Sequence, residues 1–143
     1  MTCEDKLYKN QGNRSLLDLL TNRTPGRALD CGCGAGDNAR ILVSRGWTVT
    51  GITVSKQESV AASEFCERVI LHDLESGLPS LPLTYDLVVL SHILEHLAYP
   101  AILLKQLLAS CRSCASEHGM SPGRETNPRC WKFLTAAIGP LPF

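Results

Sequence analysis

The sequence predicts an α/β protein built on a doubly wound, mostly parallel sheet. Three observations carry that expectation. Short apolar runs alternate with stretches of helical periodicity from residue 28 onward, the pattern of successive strand–helix–strand units, which close right-handed and lie parallel. The run Leu87-Val-Val-Leu90 is continuously apolar, as befits a parallel strand buried on both faces. Gly32, Gly34 and Gly36 fall between an apolar run and a helical pattern, where the chain must turn tightly and no Cβ should stand in the way.

The elements follow in order. Leucines at 16, 17, 19 and 20 behind a capping Asn13 or Ser15 predict a short amphipathic helix, which Thr24-Pro25-Gly26 ends. A strand over 28–31 leads through the glycines into a helix over about 36–45, with Gly46 as its C-terminal cap. A second strand is expected over 48–52. Ser55-Lys-Gln-Glu58 is a capping box that opens a helix whose Val60, Ala61 and Phe65 can face the sheet. The third strand occupies 68–71. Gly77, Pro79 and Pro82 make 76–83 a loop, the fourth strand covers 85–90, and Pro100 starts a leucine-rich helix to about 109. Beyond it the pattern fails: 110–129 has no four-residue apolar run, and only Asn127-Pro-Arg-Cys-Trp131-Lys-Phe-Leu134 carries an apolar cluster, which could dock as a helix or turn. The expected organisation is therefore an N-terminal helical segment (1–25), an α/β core (26–109) and a divergent, poorly ordered tail (110–143).

Composition bounds the function. The 143 residues are 44% hydrophobic and 20% charged, with 14 basic and 14 acidic side chains and no formal net charge, so there is no general electrostatic case for nucleic acid or an anionic membrane. No stretch reaches the roughly 18 apolar residues of a bilayer span, and the N-terminus lacks a secretory apolar region. A cytoplasmic address and small-molecule partners are expected. The cysteine count is seven, an odd number, and a disulfide through Cys31 or Cys33 would distort the glycine loop, so reduced thiols are expected.

The stretch Arg27-Ala-Leu-Asp-Cys-Gly-Cys-Gly-Ala-Gly36 reads as a ligand loop. Its G-x-G-x-G spacing fails the dinucleotide pattern G-x-G-x-x-G, and no G-K-[ST] follows, so neither a nicotinamide site nor a P-loop is written here. At this point the chain resembles the class I S-adenosylmethionine-dependent methyltransferases, whose first motif is an apolar strand, an acidic residue and G-x-G-x-G. Three further segments resemble that family in its order: Trp47-Thr-Val-Thr-Gly-Ile-Thr-Val-Ser55, Val69-Ile-Leu-His-Asp-Leu-Glu75 and Tyr85-Asp-Leu-Val-Val-Leu-Ser-His-Ile-Leu-Glu-His-Leu97. Together they cover about residues 26–109. The resemblance implies a Rossmann-like sheet with later strands missing or altered, in a chain shorter than the roughly 200 residues such a domain usually needs.

It also implies a site. Asp30 with the backbone of Gly32, Cys33, Gly34 and Gly36 would hold the methionine end of S-adenosylmethionine. Thr53 and Val54 would border the ribose, Asp73 would accept from the adenine amino group beside the Leu74 amide, and Ser91 would lie at the carboxyl end of the fourth strand. Many members carry Asp or Glu where this chain has Thr53, and losing a charged acceptor costs about 1.5–3 kcal/mol. The run Gly51-Ile-Thr-Val-Ser-Lys56 also resembles the cyclopropane fatty acid synthase branch, which tolerates Thr there. His92 or His96 would be the catalytic base where the methyl acceptor needs deprotonation, oriented by Glu95. The acceptor, an unknown small molecule, is not legible.

Two metal patterns compete. His92-Ile-Leu-Glu-His96 matches H-x-x-E-H, and Cys111, Cys114, His118 and Cys130 could form a zinc set in the tail. Neither carries a complete ligand set at credible spacing, so no metal is expected. The alternative to an enzyme is a truncated or frame-shifted cofactor-binding fragment or interaction module. Without a clear fifth strand, the fourth would be an exposed apolar edge, inviting self-association and leaving methyl transfer weak.

Overall fold

The computed structural model describes residues 11–81, 84–116 and 132–136. The chain begins with a helical turn α1 (Arg14–Leu17) that tightens into a 3-10 turn at Asp18–Leu20. Asn13 caps it by accepting the Leu16 N–H at 3.2 Å. Strand β1 (Arg27–Cys31) is followed by α2 (Asp37–Ser44), β2 (Thr48–Thr53), α3 (Lys56–Ala62), β3 (Arg68–Leu71), β4 (Leu87–Ser91), α4 (Pro100–Ser116) and β5 (Lys132–Ala136). Gly46, at φ +92°, lies just past the end of α2, where a left-handed residue turns the chain toward β2.

All five strands are parallel, in the order β3-β2-β1-β4-β5. Both faces are covered. Leu16, Leu17, Leu20, Ala39, Leu42 and Ala62 pack with Ala28, Val49, Leu87 and Val89 on one side. Leu103 and Leu107 of α4 pack with Leu29, Ile52, Val88 and Leu90 on the other. Alternate residues of β1 and β4 thus feed opposite cores, and this is why β4 reads as an unbroken apolar run rather than as an alternating one. Asp86 sits at the entrance to β4 and accepts the Arg27 N–H at 3.0 Å, which ties the starts of β1 and β4 together.

Two expectations are corrected. The fourth strand is not an open edge: Leu87–Ser91 pairs residue for residue with Lys132–Ala136, so the backbone groups expected to be exposed are in a ladder. Part of the cluster expected to dock as a helix or turn is this strand. Its Phe133-Leu134-Thr135 contains an aromatic and a β-branched residue that suit a pleated surface. The last helix also runs on to Ser116 rather than ending near 109, because Ser110-Cys-Arg-Ser-Cys-Ala115 contains no glycine or proline to stop it. Residues 117–131 and 137–143 of the expected tail lie outside the described residues. Among the described residues, no helix is long and apolar enough to cross a membrane.

Candidate functional site

Between β1 and β4 the strand order reverses direction: β2 and β3 run out on one side of β1, β4 and β5 on the other. In open parallel sheets the crevice at the carboxyl ends of the strands, at this reversal, is where ligands sit. A cleft of about 900 Å³ opens there, within the roughly 300–1,000 Å³ of small-molecule sites.

Its floor is the loop after β1. Gly32, Gly34 and Gly36 have φ of +74°, +53° and +89°, a left-handed succession that residues with a Cβ adopt only under strain. The Cys33 N–H donates to the Ile52 carbonyl at 2.8 Å and the Gly36 N–H to the Cys33 carbonyl at 3.0 Å. These bonds clamp the loop to β2 and to itself, and they commit the Cys33 amide to structure rather than to a ligand. Gly32, Cys33 and Gly34 line the cleft. Gly36 does not; a Cβ there would meet the Ala62 Cα at 3.0 Å, so its smallness serves the packing of the loop on α3.

Asp30 lies beneath this loop, 1% exposed, and neither carboxylate oxygen has a hydrogen-bond partner among the described residues. Burial pushes its carboxyl up to about 7. Cys31, Cys33 and Cys66 are free, buried thiols. Burial and the Asp30 charge raise all three, Cys66 to about 12.

The far walls come from β2, β3 and β4. Thr53 ends β2, and its hydroxyl donates to Glu58 Oε2 at 2.9 Å in the interior. Val54 beside it is exposed to the cleft. Asp73 caps the 3-10 turn Leu74–Ser76, accepting the Glu75 N–H at 2.9 Å, and both Asp73 and Leu74 line the cleft. Ser91 closes β4 and accepts from Asn13 Nδ2 at 3.3 Å. His92 follows in the left-handed region at φ +53°, the one non-glycine residue with positive φ among those described. Its Nδ1 faces Glu95 Oε1 at 3.3 Å. Backbone strain of this kind, at a residue lining a cleft, is a recurrent feature of functional sites. His96 also lines the cleft, but Leu94–His96 is a 3-10 turn, so His92 and His96 are not presented one turn apart on an α-helix as the zinc motif requires. Among the described residues, no three His, Cys, Asp or Glu side chains gather as a metal set. Cys111 and Cys114 fall on α4; His118 and Cys130 lie outside the described residues.

The cleft also holds residues that sequence reasoning did not place there. Gln11 to Ser15 form a strap along one wall, fastened where the Asn13 N–H donates to Asn38 Oδ1 at 2.6 Å. Among the described residues, Arg14 is the lone arginine or lysine that lines the cleft, against the carboxylates of Asp37, Glu58, Asp73 and Glu75. Such a surface repels polyphosphates and suits a cationic ligand. No motif marks the strap, and Glu58 carries a signal only for helix capping.

A doubly wound α/β chain with a glycine loop and a mixed-polarity cleft at the switch point is a small-molecule-binding protein of the Rossmann-like class. Residues 7–115 match the model of the methyltransferase domain family, and the chain belongs to that family, whose members use S-adenosylmethionine. The ubiquinone biosynthesis O-methyltransferase of Paraburkholderia xenovorans (strain LB400) is 30% identical over 138 residues, covering 87% of this chain and 55% of that protein. The plantazolicin methyltransferase BpumL in complex with SAH is 26% identical with a TM-score of 0.55, over 66% of this chain and 38% of that one. The magnesium protoporphyrin IX methyltransferase from Synechocystis PCC 6803, with bound SAM, shares the fold at 22% identity and a TM-score of 0.57, over 67% of this chain and 51% of that one. The chain spans about half the length of the curated relatives it matches.

Proposed function

We propose that this chain binds S-adenosylmethionine in the cleft and promotes transfer of its methyl group to a hydroxyl oxygen of a small acceptor. The observation that carries this is the meeting, in one cleft of about 900 Å³, of the left-handed glycine loop, the ends of β2 and β3, and the strained His92. The residues fit the cofactor's mixed polarity. Gly32 and Gly34 leave room for its methionine end, Arg14 offers a guanidinium to the carboxylate, and the orphaned Asp30 carboxylate below the loop complements a cationic ligand. Asp73 and the Leu74 amide suit the adenine edge. The bound cofactor supplies a methyl group already activated by its sulfonium.

The protein's own contribution is alignment and a proton acceptor. His92, held through Nδ1 by Glu95, lines the cleft, and its other nitrogen can take the proton of an acceptor hydroxyl. Hydroxyl acceptors are favoured because the relatives are O-methyltransferases by name. Calorimetry with S-adenosylhomocysteine, followed by transfer of labelled methyl to a panel of phenols and catechols, tests both halves. No binding by folded protein overturns the cofactor assignment. Binding without transfer to any acceptor favours the second reading, a cofactor-binding unit without turnover.

A further inference from the structure

We propose that Cys33 and Cys66 are a thiol pair that exchanges with small disulfides, and that the bond they form draws the glycine loop out of shape and lowers cofactor affinity. The second half rests on the S-adenosyl reading above. Both thiols are free and buried, and both belong to the core on the α2 and α3 side of the sheet. Cys31 is buried in the opposite core and stands apart from the pair. Cys33 sits in the loop between Gly32 and Gly34, which line the cleft. Cys66 lies between α3 and β3, where its N–H donates to the Ala62 carbonyl at 2.9 Å.

Gly51 of β2 brings the two together. A Cβ on Gly51 would meet Cys33 Sγ at 2.6 Å and Cys66 Sγ at 3.3 Å, so both sulfurs fill the space that a side chain there would take. Gly51 lacks the positive φ of the loop glycines, and its smallness makes room for sulfur. The thiols also feel one another: the charge of Cys66 raises Cys33, and a hydrogen bond from the Gly51 backbone partly offsets burial at Cys66. With no side chain at position 51 in the way, rotation of the two side chains toward each other can bring the sulfurs to the roughly 2 Å of a disulfide.

In the exchange, one protein thiolate attacks a sulfur of the small disulfide and expels a first thiol. The other protein thiolate then attacks the mixed disulfide and expels the second. Two protein thiols are oxidised, one small disulfide is reduced, and the two protons pass to the departing thiolates. Burial and the Asp30 charge keep both protein thiols protonated, so the exchange waits on a loosening of the packing. The Cys33 backbone is tied to Ile52 and Gly36 at 2.8 and 3.0 Å, and its thiol donates weakly to the Gly34 carbonyl at 3.5 Å. A cross-link gives up that last bond and pulls on the others. Disulfides under such strain are readily reduced, which makes the control reversible.

The reduced full chain is incubated with oxidised glutathione, its remaining thiols are blocked, and its peptides are mapped by mass spectrometry. A linked Cys33–Cys66 peptide pair is expected, absent from Cys66→Ser and present in Cys31→Ser; should either variant fail to fold, the wild-type map decides alone. The cross-linked chain should bind S-adenosylhomocysteine about tenfold more weakly by calorimetry, the worth of a displaced hydrogen bond, and regain its affinity in dithiothreitol.

No linked pair in a chain that circular dichroism shows to be folded, or one that forms only in denaturant, overturns the pairing. A linked chain with unchanged affinity overturns the control of binding, as does an equal loss in oxidised Cys66→Ser whose Cys33 is unmodified. A reduced, folded chain that takes no S-adenosylhomocysteine overturns the cofactor reading and the control built on it, while the peptide map still decides the pairing.

Discussion

The two sides of the cleft are built differently. On the β1–β2 side the groups facing the ligand space stand on buried supports: Asp30, Cys33, Thr53, Ser55 and Glu58 are all buried, and the loop is tied to β2 through the Cys33 amide. On the β4 side, His92 and Glu95 are 43% and 34% exposed, and the turn Leu94–His96 has no buried residue. The first side has its geometry fixed before any ligand arrives. The second has a strained backbone and an open mouth, and its shape depends on what closes over it. On the proposed function, the constant cofactor would meet the rigid side and the variable acceptor the exposed one.

Substitutions on the two sides should separate accordingly. The largest effect is expected at His92→Ala, which should lower methyl transfer by about 10²–10⁴-fold, the usual worth of a general base, while leaving the calorimetric affinity for S-adenosylhomocysteine unchanged. A parallel loss of affinity would break the division between the sides. Gly34→Val forces a β-branched residue to φ +53° and should abolish cofactor binding, a loss beyond about a hundredfold. Retained affinity would mean that the loop is not the floor of the site.

Asp30 should show itself through pH. Its carboxyl is raised from 3.8 to about 7 in the fold, so the native state holds a proton that the unfolded chain has released. Stability of the ligand-free chain should therefore fall as pH rises through that window and level off above about 7. Asp30→Asn should flatten the curve, which thermal melts across pH 4–8 would reveal. The smallest effect belongs to Asp73→Ala, which removes one acceptor and the cap of a 3-10 turn and should weaken cofactor binding about tenfold. A loss as large as that of Gly34→Val would place the adenine, rather than the loop, at the centre of recognition.

The same contrast governs what could be read from the sequence. Strand β4 announces itself because burial on both faces demands a continuous apolar run, β1 to β3 because short apolar stretches recur between helical patterns and turn signals, and the left-handed turn because it demands glycine. Strand β5 was not legible: Lys132–Ala136 is five residues long, opens on a lysine, and is defined by its pairing with β4 rather than by its own pattern. Ser91, His92 and Asp73, which line the cleft, were legible as candidates because they end a strand or come within two residues of its end. Glu58 lines the cleft unannounced, since a Glu three residues after Ser55 is accounted for by helix capping. The strap from Gln11 to Ser15 carries no motif. Its place depends on Asn38 and Ser91, residues 25 and 78 positions away.

The buried thiols around the loop have a kinetic consequence. With Cys33 and Cys66 only 7% and 8% exposed and their ionisation suppressed, thiol reagents meet almost no thiolate while the loop stays closed. Alkylation at these two positions, followed residue by residue by mass spectrometry, therefore reports how often the packing around the glycine loop loosens. Labelling that lags far behind that of an exposed thiol is the counterpart, in time, of the fixed geometry on the β1–β2 side.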